Sequence, residues 1–250
     1  AYKEDYTPKR ADVKYIKCRD EADLLKKLIM YFLNTPPDII TGWNVRFFDI
    51  PYIVNRISRV LGGDKVRGLS PWGVVNEREI TMNDRTQKTY EILGITVMDA
   101  LDLYQKFTYT KQESYKLAYI ARVEKLAVQK ITFEGTLAEL YQNNFELYID
   151  YNIADVDVVD SLLKKHNFID TVLYIAYRAK VNWATAFGPV ATWDATLYNF
   201  FRKAGLVIPP AAVFGKNEQY EGAFVKEPLP GKYGWTVSFD LNSQIGRAHV

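Results

Sequence analysis

An alternation between short apolar runs and amphipathic segments constrains the fold more than any other feature of this sequence. The run PDIITGWN (37–44) has the length and composition of a short buried strand. DIPYIVNRISRVL (49–61) follows with its apolar residues on one helical face and Pro51 in the first turn, where proline is tolerated. Strands that alternate with helices indicate a sheet covered by helices, so the chain is predicted to be an α/β protein.

The same kind of pattern extends to both sides of these segments. VKYIKC (13–18) predicts a strand and EADLLKKLIMYFLN (21–34) predicts an amphipathic helix, while the glycine pair at 62–63 ends the helix before it. Residues 72–104 contain strand-like pieces around the polar tip MNDRTQ, which predicts a β-hairpin.

The second half of the chain is predicted to be mainly helical. Short helices and loops are expected over 111–150, a long helix over 151–180 and another over 193–205. After Gly205 the composition shifts to proline, glycine and aromatic residues, which indicates an extended linker into a new strand, TVSFDLNS (236–243). A domain boundary is therefore expected near 205–220.

Composition excludes several protein classes. Of the 250 residues, 48% are hydrophobic and 25% are charged, which is typical of a globular, soluble protein. No apolar run approaches the ~18 residues that a membrane-spanning helix needs, and the polar opening AYKEDYTPKR is unlike a signal peptide. A single cysteine, Cys18, cannot form an internal disulfide, which fits a reducing compartment and a cytoplasmic location.

Two pairs of polar residues stand at predicted helix starts. Asn44 and Asp49 lie between the strand at 37–44 and the helix that follows, where Asp49 could be an ordinary N-cap worth about 1 kcal/mol. Tyr151 and Asp155 are four residues apart on the long helix, so a phenol and a carboxylate can share one face. The alternative for this second pair is an acidic helix start that the helix dipole favours.

These residues resemble two sequence motifs of a known enzyme family. N-x-x-x-F-D, from Asn44 through Phe48 to Asp49, resembles the Exo II motif of family B DNA polymerases. Y-x-x-x-D, from Tyr151 to Asp155, resembles their Exo III motif. The order of the motifs along almost the whole chain is similar to that in the replicative polymerases of tailed bacteriophages.

Two further stretches near the C-terminus extend the resemblance. YEGA, with Tyr220 and Gly222, resembles the element that joins the exonuclease and polymerase modules and contacts DNA. SFDLNS resembles the start of polymerase motif A, in which Asp240 matches a metal-binding aspartate.

The resemblance implies a fold and a reaction. The expected fold is a ribonuclease-H-like exonuclease domain: a mixed twisted sheet flanked by helices, with an inserted β-hairpin, followed by a linker and a first palm strand. The expected reaction is 3′→5′ proofreading hydrolysis of DNA with two Mg²⁺ ions, for which Mn²⁺ could substitute. Asp49 and Asp155 would be metal ligands, Tyr151 would hydrogen-bond the attacking water, and Asn44 and Phe48 would hold the frayed 3′ end.

One departure from the family concerns the first exonuclease motif. The polar opening offers no strand with the Exo I aspartate and glutamate, so this motif is expected upstream of Ala1, and the isolated chain is expected to hydrolyse DNA negligibly. Two alternatives stay open: a stand-alone nuclease of the ribonuclease-H-like fold, and a catalytically inactive module that binds single-stranded DNA.

The expected domain organisation has three parts. Residues 1–205 would form the exonuclease domain without its first motif, and 206–243 the linker and the start of the polymerase palm. Residues 244–250 are interpreted as an artefact, because IGRAHV is what a common sequencing adapter gives when it is translated.

The resemblance also implies partners. These are a DNA primer-template, a single-stranded 3′ end and, for the whole polymerase, a sliding clamp and other replisome proteins in the cytoplasm of a host cell; no membrane is expected. The hairpin at 72–97 could help to separate primer from template. Four lysines could face DNA or simply form a solvated surface: Lys111, Lys116, Lys125 and Lys130.

Overall fold

A computed structural model describes residues 4–82, 85–128, 131–208, 227 and 229–237. The chain divides into two compact units, Ala1–Val207 and Ile208–Val250. In the second unit the described residues form no helix or strand, and these include Thr236 and Val237 of the predicted palm strand. Among the described residues, no helix has both the length and the apolar character needed to cross a membrane.

Several residues singled out in the sequence lie outside the described part of the chain. They are Lys130, Tyr220, Gly222, Asp240 and residues 244–250, together with the hairpin tip at 83–84. The interpretations given for them, and the three-part domain organisation, stay predictions.

The first unit is built from helices and short strands. The helices are α1 (Glu21–Asn34), α2 (Asp49–Leu61), α3 (Ala100–Phe107), α4 (Leu117–Val123), α5 (Leu137–Asn143), α6 (Phe145–His166), α7 (Phe168–Ala179), α8 (Trp183–Ala186) and α9 (Pro189–Lys203). The strands are β1 (Ile39–Gly42), β2 (Val75–Met82), β3 (Arg85–Ile92) and β4 (Thr96–Asp99), and a 3-10 helix spans Gly63–Leu69. The protein is therefore of mixed α/β type, as predicted, and α1 and α2 have the predicted bounds.

The strands pair two by two within the described residues. β1 and β4 are parallel, and their register places Gly42 beside Asp99. β2 and β3 form the predicted antiparallel hairpin. A tight turn at Gly94, which has φ 88°, lies between β3 and β4. These two strands do not pair with each other, so the described strands form two small sheets rather than one mixed sheet.

Two clusters of buried side chains hold the unit together. One lies among α3, α4, α6 and α7 and includes Leu103, Tyr104, Ile120, Val158, Leu162 and Val172. The other lies between α1, α2 and the base of the hairpin and includes Leu25, Ile50, Ile57, Leu69 and Ile92. The start of β1 lies where these clusters meet, since Ile39 packs against the first and Ile40 against the second.

The predicted long helix over 151–180 is wrong in its bounds. α6 begins earlier, at Phe145, where the side chain of Asn144 accepts a hydrogen bond from the amide of Leu147. Asn167 then separates α6 from α7 because its backbone is left-handed, with φ 52°. Asparagine adopts this conformation more readily than most residues, so the helical pattern continues in sequence while the chain changes direction.

The end of α6 is attached to α3 and α4 by a polar network around Glu124. Its carboxylate accepts hydrogen bonds from Tyr104 at 2.7 Å and Lys165 at 2.7 Å, and it lies 2.9 Å from a ring nitrogen of His166. The His166 ring stacks on Phe168 with centroids 4.8 Å apart. The network fixes the direction of α6, which carries two of the predicted site residues.

The predicted strand at 13–18 is wrong, because these residues have no regular secondary structure. Individual side-chain contacts hold the segment instead: Tyr15 donates to the carbonyl oxygen of Glu4 at 2.6 Å, and Lys17 pairs with Asp5 at 2.7 Å. Cys18 is free and buried, as expected for a small apolar side chain.

Truncation of Leu162 tests whether α6 depends on the larger core cluster. Leu162 is fully buried, so Leu162→Ala should lower the free energy of unfolding by about 2–5 kcal/mol. Val156→Ala on the same helix is the control, since Val156 is 65% exposed and its loss should have little effect. Urea unfolding of both variants measures the difference, and equal losses would contradict this packing.

Candidate active site

The segment between β1 and α2 makes a compact turn that sets the start of α2. Asn44 is left-handed, with φ 64°, and its carbonyl oxygen accepts a hydrogen bond from the amide of Phe48 at 3.0 Å. Val45 is buried under the turn, and its carbonyl oxygen accepts from Ile50 at 3.0 Å. Phe48 occupies the N-cap position and Asp49 is the first helical residue, so Asp49 is not the N-cap.

Asp99, at the end of β4, anchors this turn. Its carboxylate accepts hydrogen bonds from the amides of Asn44, Arg46 and Leu101, each at 2.9 Å. Sequence reasoning missed this residue. The available signal was its place between the apolar stretch ITVM and the amphipathic α3, which is typical of an N-cap and gave no indication of the two contacts to the distant turn.

The second pair of predicted residues lies on α6, with different surroundings for its two members. Tyr151 is 9% exposed, and its ring packs edge-on against Phe133 with centroids 5.2 Å apart. Asp155 is half-buried, one turn further along the helix. The two residues therefore share a helix but meet different environments.

A cavity of about 1650 Å³ joins the two parts of the predicted site. Its lining includes Asn44, Phe48, Asp49, Asp155 and Lys116. Tyr151 is not among the described residues that line it. The fold thus brings one carboxylate from the start of α2 and one from α6 to the same cavity, beside an exposed phenylalanine.

Residues 6–15, here called the N-terminal strap, form another wall of the cavity and are tied to α6. Tyr6 donates to Asp150 at 2.7 Å, Lys9 pairs with the same carboxylate at 2.6 Å, and Arg10 pairs with Asp157. Two acidic side chains of α6, one on each side of Asp155 in the sequence, are thereby paired with cations of the strap.

Comparisons with known proteins identify the family. Residues 1–120 match the family described as DNA polymerase family B, exonuclease domain. The chain is 38% identical to the DNA-directed DNA polymerase of Escherichia phage RB69 over 229 residues, which cover 92% of this chain and 25% of that protein. The DNA-directed DNA polymerase of Enterobacteria phage T4 is 36% identical over 229 residues, with the same coverage of both chains.

The chain belongs to the family B DNA polymerases. A more distant relative is the DNA polymerase delta catalytic subunit of Plasmodium falciparum, 28% identical over 240 residues, with 86% of this chain and 20% of that protein covered. The chain spans about a quarter of the length of the phage polymerases that it matches.

The donors that this family B chain offers to a metal ion are oxygen atoms. Asp49 and Asp155 both line the cavity, and carboxylate oxygens are the ligands that Mg²⁺ prefers. Among the described residues, however, no group of three or more histidine, cysteine, aspartate and glutamate side chains is arranged to hold a metal ion. The two carboxylates fit Mg²⁺ in kind, and a complete set of protein ligands would need more of them.

Loss of solvent and a neighbouring negative charge both raise the pKa of Asp49. Asp49 is exposed as a residue, but the protein around it shields its carboxyl group in part, and this partial loss of solvent raises its pKa. The negative charge of Asp99 raises the pKa further, while the amide of Asp49 itself lowers it. The pKa of Asp102 is raised for the same two reasons, with Arg46 acting against them. The opposite holds for Asp12, whose pKa is lowered by its hydrogen bond to Arg10.

The predicted lysines differ in their relation to the cavity. Lys116 is exposed, lines the cavity and occupies the N-cap position of α4. Lys111 and Lys125 are exposed and do not belong to the described lining. Of these three described lysines, Lys116 alone lines the cavity.

The raised pKa of Asp49 predicts a change in stability with a defined sign. The folded state favours the protonated form of Asp49 more than the unfolded state does. The stabilisation that results is fully present below the unfolded pKa of about 3.9 and is lost as the pH rises through the folded pKa. Asp49→Asn should therefore raise the free energy of unfolding at pH 7, and the gain should shrink as the pH falls toward 4. Urea unfolding at both pH values measures it.

Asp12→Asn is the matched control because its effect on the free energy of unfolding should have the opposite sign. Asp12 lines the same cavity and has a lowered pKa, so its charge stabilises the fold above the unfolded pKa. This variant should be slightly less stable than the parent at pH 7. A loss of stability for Asp49→Asn at pH 7 would contradict the direction given for Asp49.

Proposed function

We propose that this chain is part of a replicative DNA-directed DNA polymerase and carries most of its 3′→5′ proofreading exonuclease, which hydrolyses the 3′ end of a DNA primer. Its membership of family B and the match of residues 1–120 to the exonuclease domain support this proposal. So does the place of the chain within much longer relatives that are named DNA-directed DNA polymerases.

The observation that carries the proposal is the convergence of Asp49 and Asp155 on one cavity. These residues lie far apart in the sequence and on different helices, and each was selected by its own motif. A shared cavity is what a joint metal site requires, whereas two unrelated carboxylates on different helices would have no reason to line the same cavity.

Asp49 and Asp155 would each contribute a carboxylate to bound Mg²⁺, with Mn²⁺ as a substitute. When bound, two such ions activate a water and stabilise the leaving 3′-oxygen of a phosphodiester. The remaining ligands would be the aspartate and glutamate that the resemblance implies for the Exo I motif.

The other residues around the cavity would hold the strand. Phe48 is 65% exposed at the cavity, and an exposed aromatic ring offers a surface on which a base can stack. The side-chain amide of Asn44 would hydrogen-bond to the same DNA strand, and the positive charge of Lys116 would attract its phosphates. Tyr151, one turn before Asp155 on α6, lies outside the described lining of the cavity, and its proposed role of orienting the attacking water rests on the family motif.

The fold proposed for the complete domain is ribonuclease-H-like. The parallel pair β1–β4, with α2 and α3 directly after its strands, is a fitting part of such a sheet. A stand-alone nuclease is the less favoured alternative, because the matched phage proteins are polymerases about four times as long as the aligned stretch.

The proposed partners follow from the polymerase assignment. They are a DNA primer-template and a single-stranded 3′ end, and in the whole enzyme a sliding clamp and other replisome proteins in the host cytoplasm. The hairpin β2–β3 is proposed to help to separate primer from template, and Tyr220, Gly222 and Asp240 keep the DNA-contact and metal roles that the family motifs imply.

Loss of the Asp155 carboxylate tests the exonuclease assignment. In the full-length polymerase that contains this chain, Asp155→Ala should lower Mg²⁺-dependent 3′→5′ cleavage of a 5′-labelled single strand by orders of magnitude, since metal ions supply several kcal/mol of transition-state stabilisation. DNA binding should be largely kept. Tyr151→Phe should be milder because it removes a hydroxyl group but no metal ligand.

The control is Asp170→Ala on α7, an exposed aspartate that does not belong to the described lining of the cavity. It should cleave as the parent does. Full cleavage by Asp155→Ala would overturn the metal assignment and the exonuclease function with it.

A second prediction concerns strand binding by the chain itself. Phe48→Ala should weaken binding of a short single-stranded DNA by about 5- to 150-fold, because stacking of one base is worth roughly 1–3 kcal/mol. Tyr52→Ala is the matched control, since Tyr52 is 60% exposed in the first turn of the helix that Phe48 precedes, but lies outside the described lining. Fluorescence anisotropy measures both, and equal affinities of the two variants would contradict the role of Phe48.

A further inference from the structure

The carboxylate of Asp99 is buried and saturated by backbone amides. The residue is 3% exposed, and its two oxygens accept hydrogen bonds from Asn44, Arg46 and Leu101. Burial of a carboxylate costs free energy unless hydrogen-bond donors surround it. The three amides meet this requirement, and their bonds to a charged acceptor are stronger than bonds to a neutral one.

Two of the three bonds serve the distant turn rather than the helix that Asp99 caps. The bond from Leu101 is an ordinary N-cap contact at the start of α3. Those from Asn44 and Arg46 reach across more than fifty residues of sequence to the segment between β1 and α2. A capping role alone would leave these two bonds unexplained.

The turn belongs to no regular element, so few backbone bonds of its own hold it. Asn44 has φ 64°, a left-handed conformation that asparagine adopts more readily than most residues and that reverses the chain after β1. It also lets the amides of Asn44 and Arg46 point to one anion, as in an anion-binding nest. Thr89 of β3 donates to the carbonyl oxygen of Arg46 at 2.9 Å and holds the other side of the turn.

We propose that Asp99 is a positioning residue for the cavity site: through the amides of Asn44 and Arg46 it holds the turn that directs Asn44, Phe48 and Asp49 toward the cavity. Asp99 does not belong to the described lining, so it acts through the turn and not on the substrate. The inference rests on the proposed exonuclease function for its consequence, but the holding of the turn can be measured without it.

Asp102 provides a matched control on the same helix. It is half-buried, bears the same carboxyl group and contacts Arg46 only through the guanidinium, at 3.5 Å. Asp102→Asn therefore removes the same charge from the same neighbourhood while leaving the amides of the turn bonded. Asp99→Asn keeps the shape of the side chain but replaces one acceptor oxygen with an amide donor, so it cannot keep all three bonds.

The first readout is hydrogen exchange of individual amides, measured by NMR on the chain itself. In the parent, the amides of Asn44 and Arg46 should be protected. In Asp99→Asn, exchange at one or both should be roughly tenfold faster or more, because a bond to a charged acceptor is lost. Exchange at Ile57 in the core should not change. Parent-like exchange in Asp99→Asn, or unprotected amides in the parent, would overturn the inference.

The second readout is cleavage of a labelled single strand by the full-length polymerase, under conditions in which every variant is folded. Asp99→Asn should lower kcat by roughly tenfold or more, since a displacement of about 1 Å in a catalytic group can cost a hundredfold. Asp102→Asn should cleave as the parent does. Faster exchange with an unchanged kcat would reduce Asp99 to a structural residue and overturn the positioning role.

A failure of this inference can be told apart from a failure of the proposed function. A parent polymerase that does not cleave DNA refutes the exonuclease function, and the exchange result alone then decides whether Asp99 holds the turn.

Should Asp99→Asn fail to fold, Asp99→Glu takes its place. It keeps the charge but moves the carboxylate by one methylene group, so the same loss of protection at Asn44 and Arg46 is expected.

Discussion

The parallel pairing of β1 with β4 is the constraint on which the rest of the site depends. Its register places Gly42, the last residue of β1, beside Asp99, the last residue of β4. The chain that leaves β1 can therefore reach the carboxylate at once. Gly42 suits this place because a Cβ atom there would lie 3.1 Å from the side chain of Val45. A shift of register would move Asp99 away from the amides that it binds.

The carboxylate on α6 is positioned by different forces. The C-terminal end of the helix is fixed by the polar network around Glu124, and its middle by the N-terminal strap through Asp150 and Asp157. Between these attachments Val158 and Leu162 are fully buried, which sets the rotation of the helix. With this rotation of α6, Asp155 lines the cavity.

How much of this could be predicted from the sequence depended on whether the signal was local. The bounds of α2 follow from its apolar periodicity, from Pro51 in its first turn and from Gly62 after it, and the structure agrees with each. The left-handed Asn167 was missed because the helical pattern continues on both sides of it, so the periodicity shows no break.

Contacts between residues that are far apart in the sequence leave no local pattern from which they could be predicted. Residues 13–18 looked like a strand by composition, yet in the described structure they lack a strand partner and depend on side-chain contacts. Asp49 and Asp155 were selected by motif, and only the fold could bring them to one cavity. Asp99 was overlooked for the same reason: its partners in the turn are far away in the sequence.

The anchor and the proposed ligand act against each other electrostatically. Asp99 fixes the turn that carries Asp49, but its charge also raises the pKa of Asp49 and so disfavours the ionised form that a metal ion requires. Replacing Asp99 with a neutral residue would relieve this repulsion and lose the bonds to Asn44 and Arg46. A divalent cation bound at Asp49 would offset the repulsion without that loss, because it favours both negative charges. Without a cation the repulsion between Asp99 and Asp49 is not offset, which is a cost that the proposed metal site would carry.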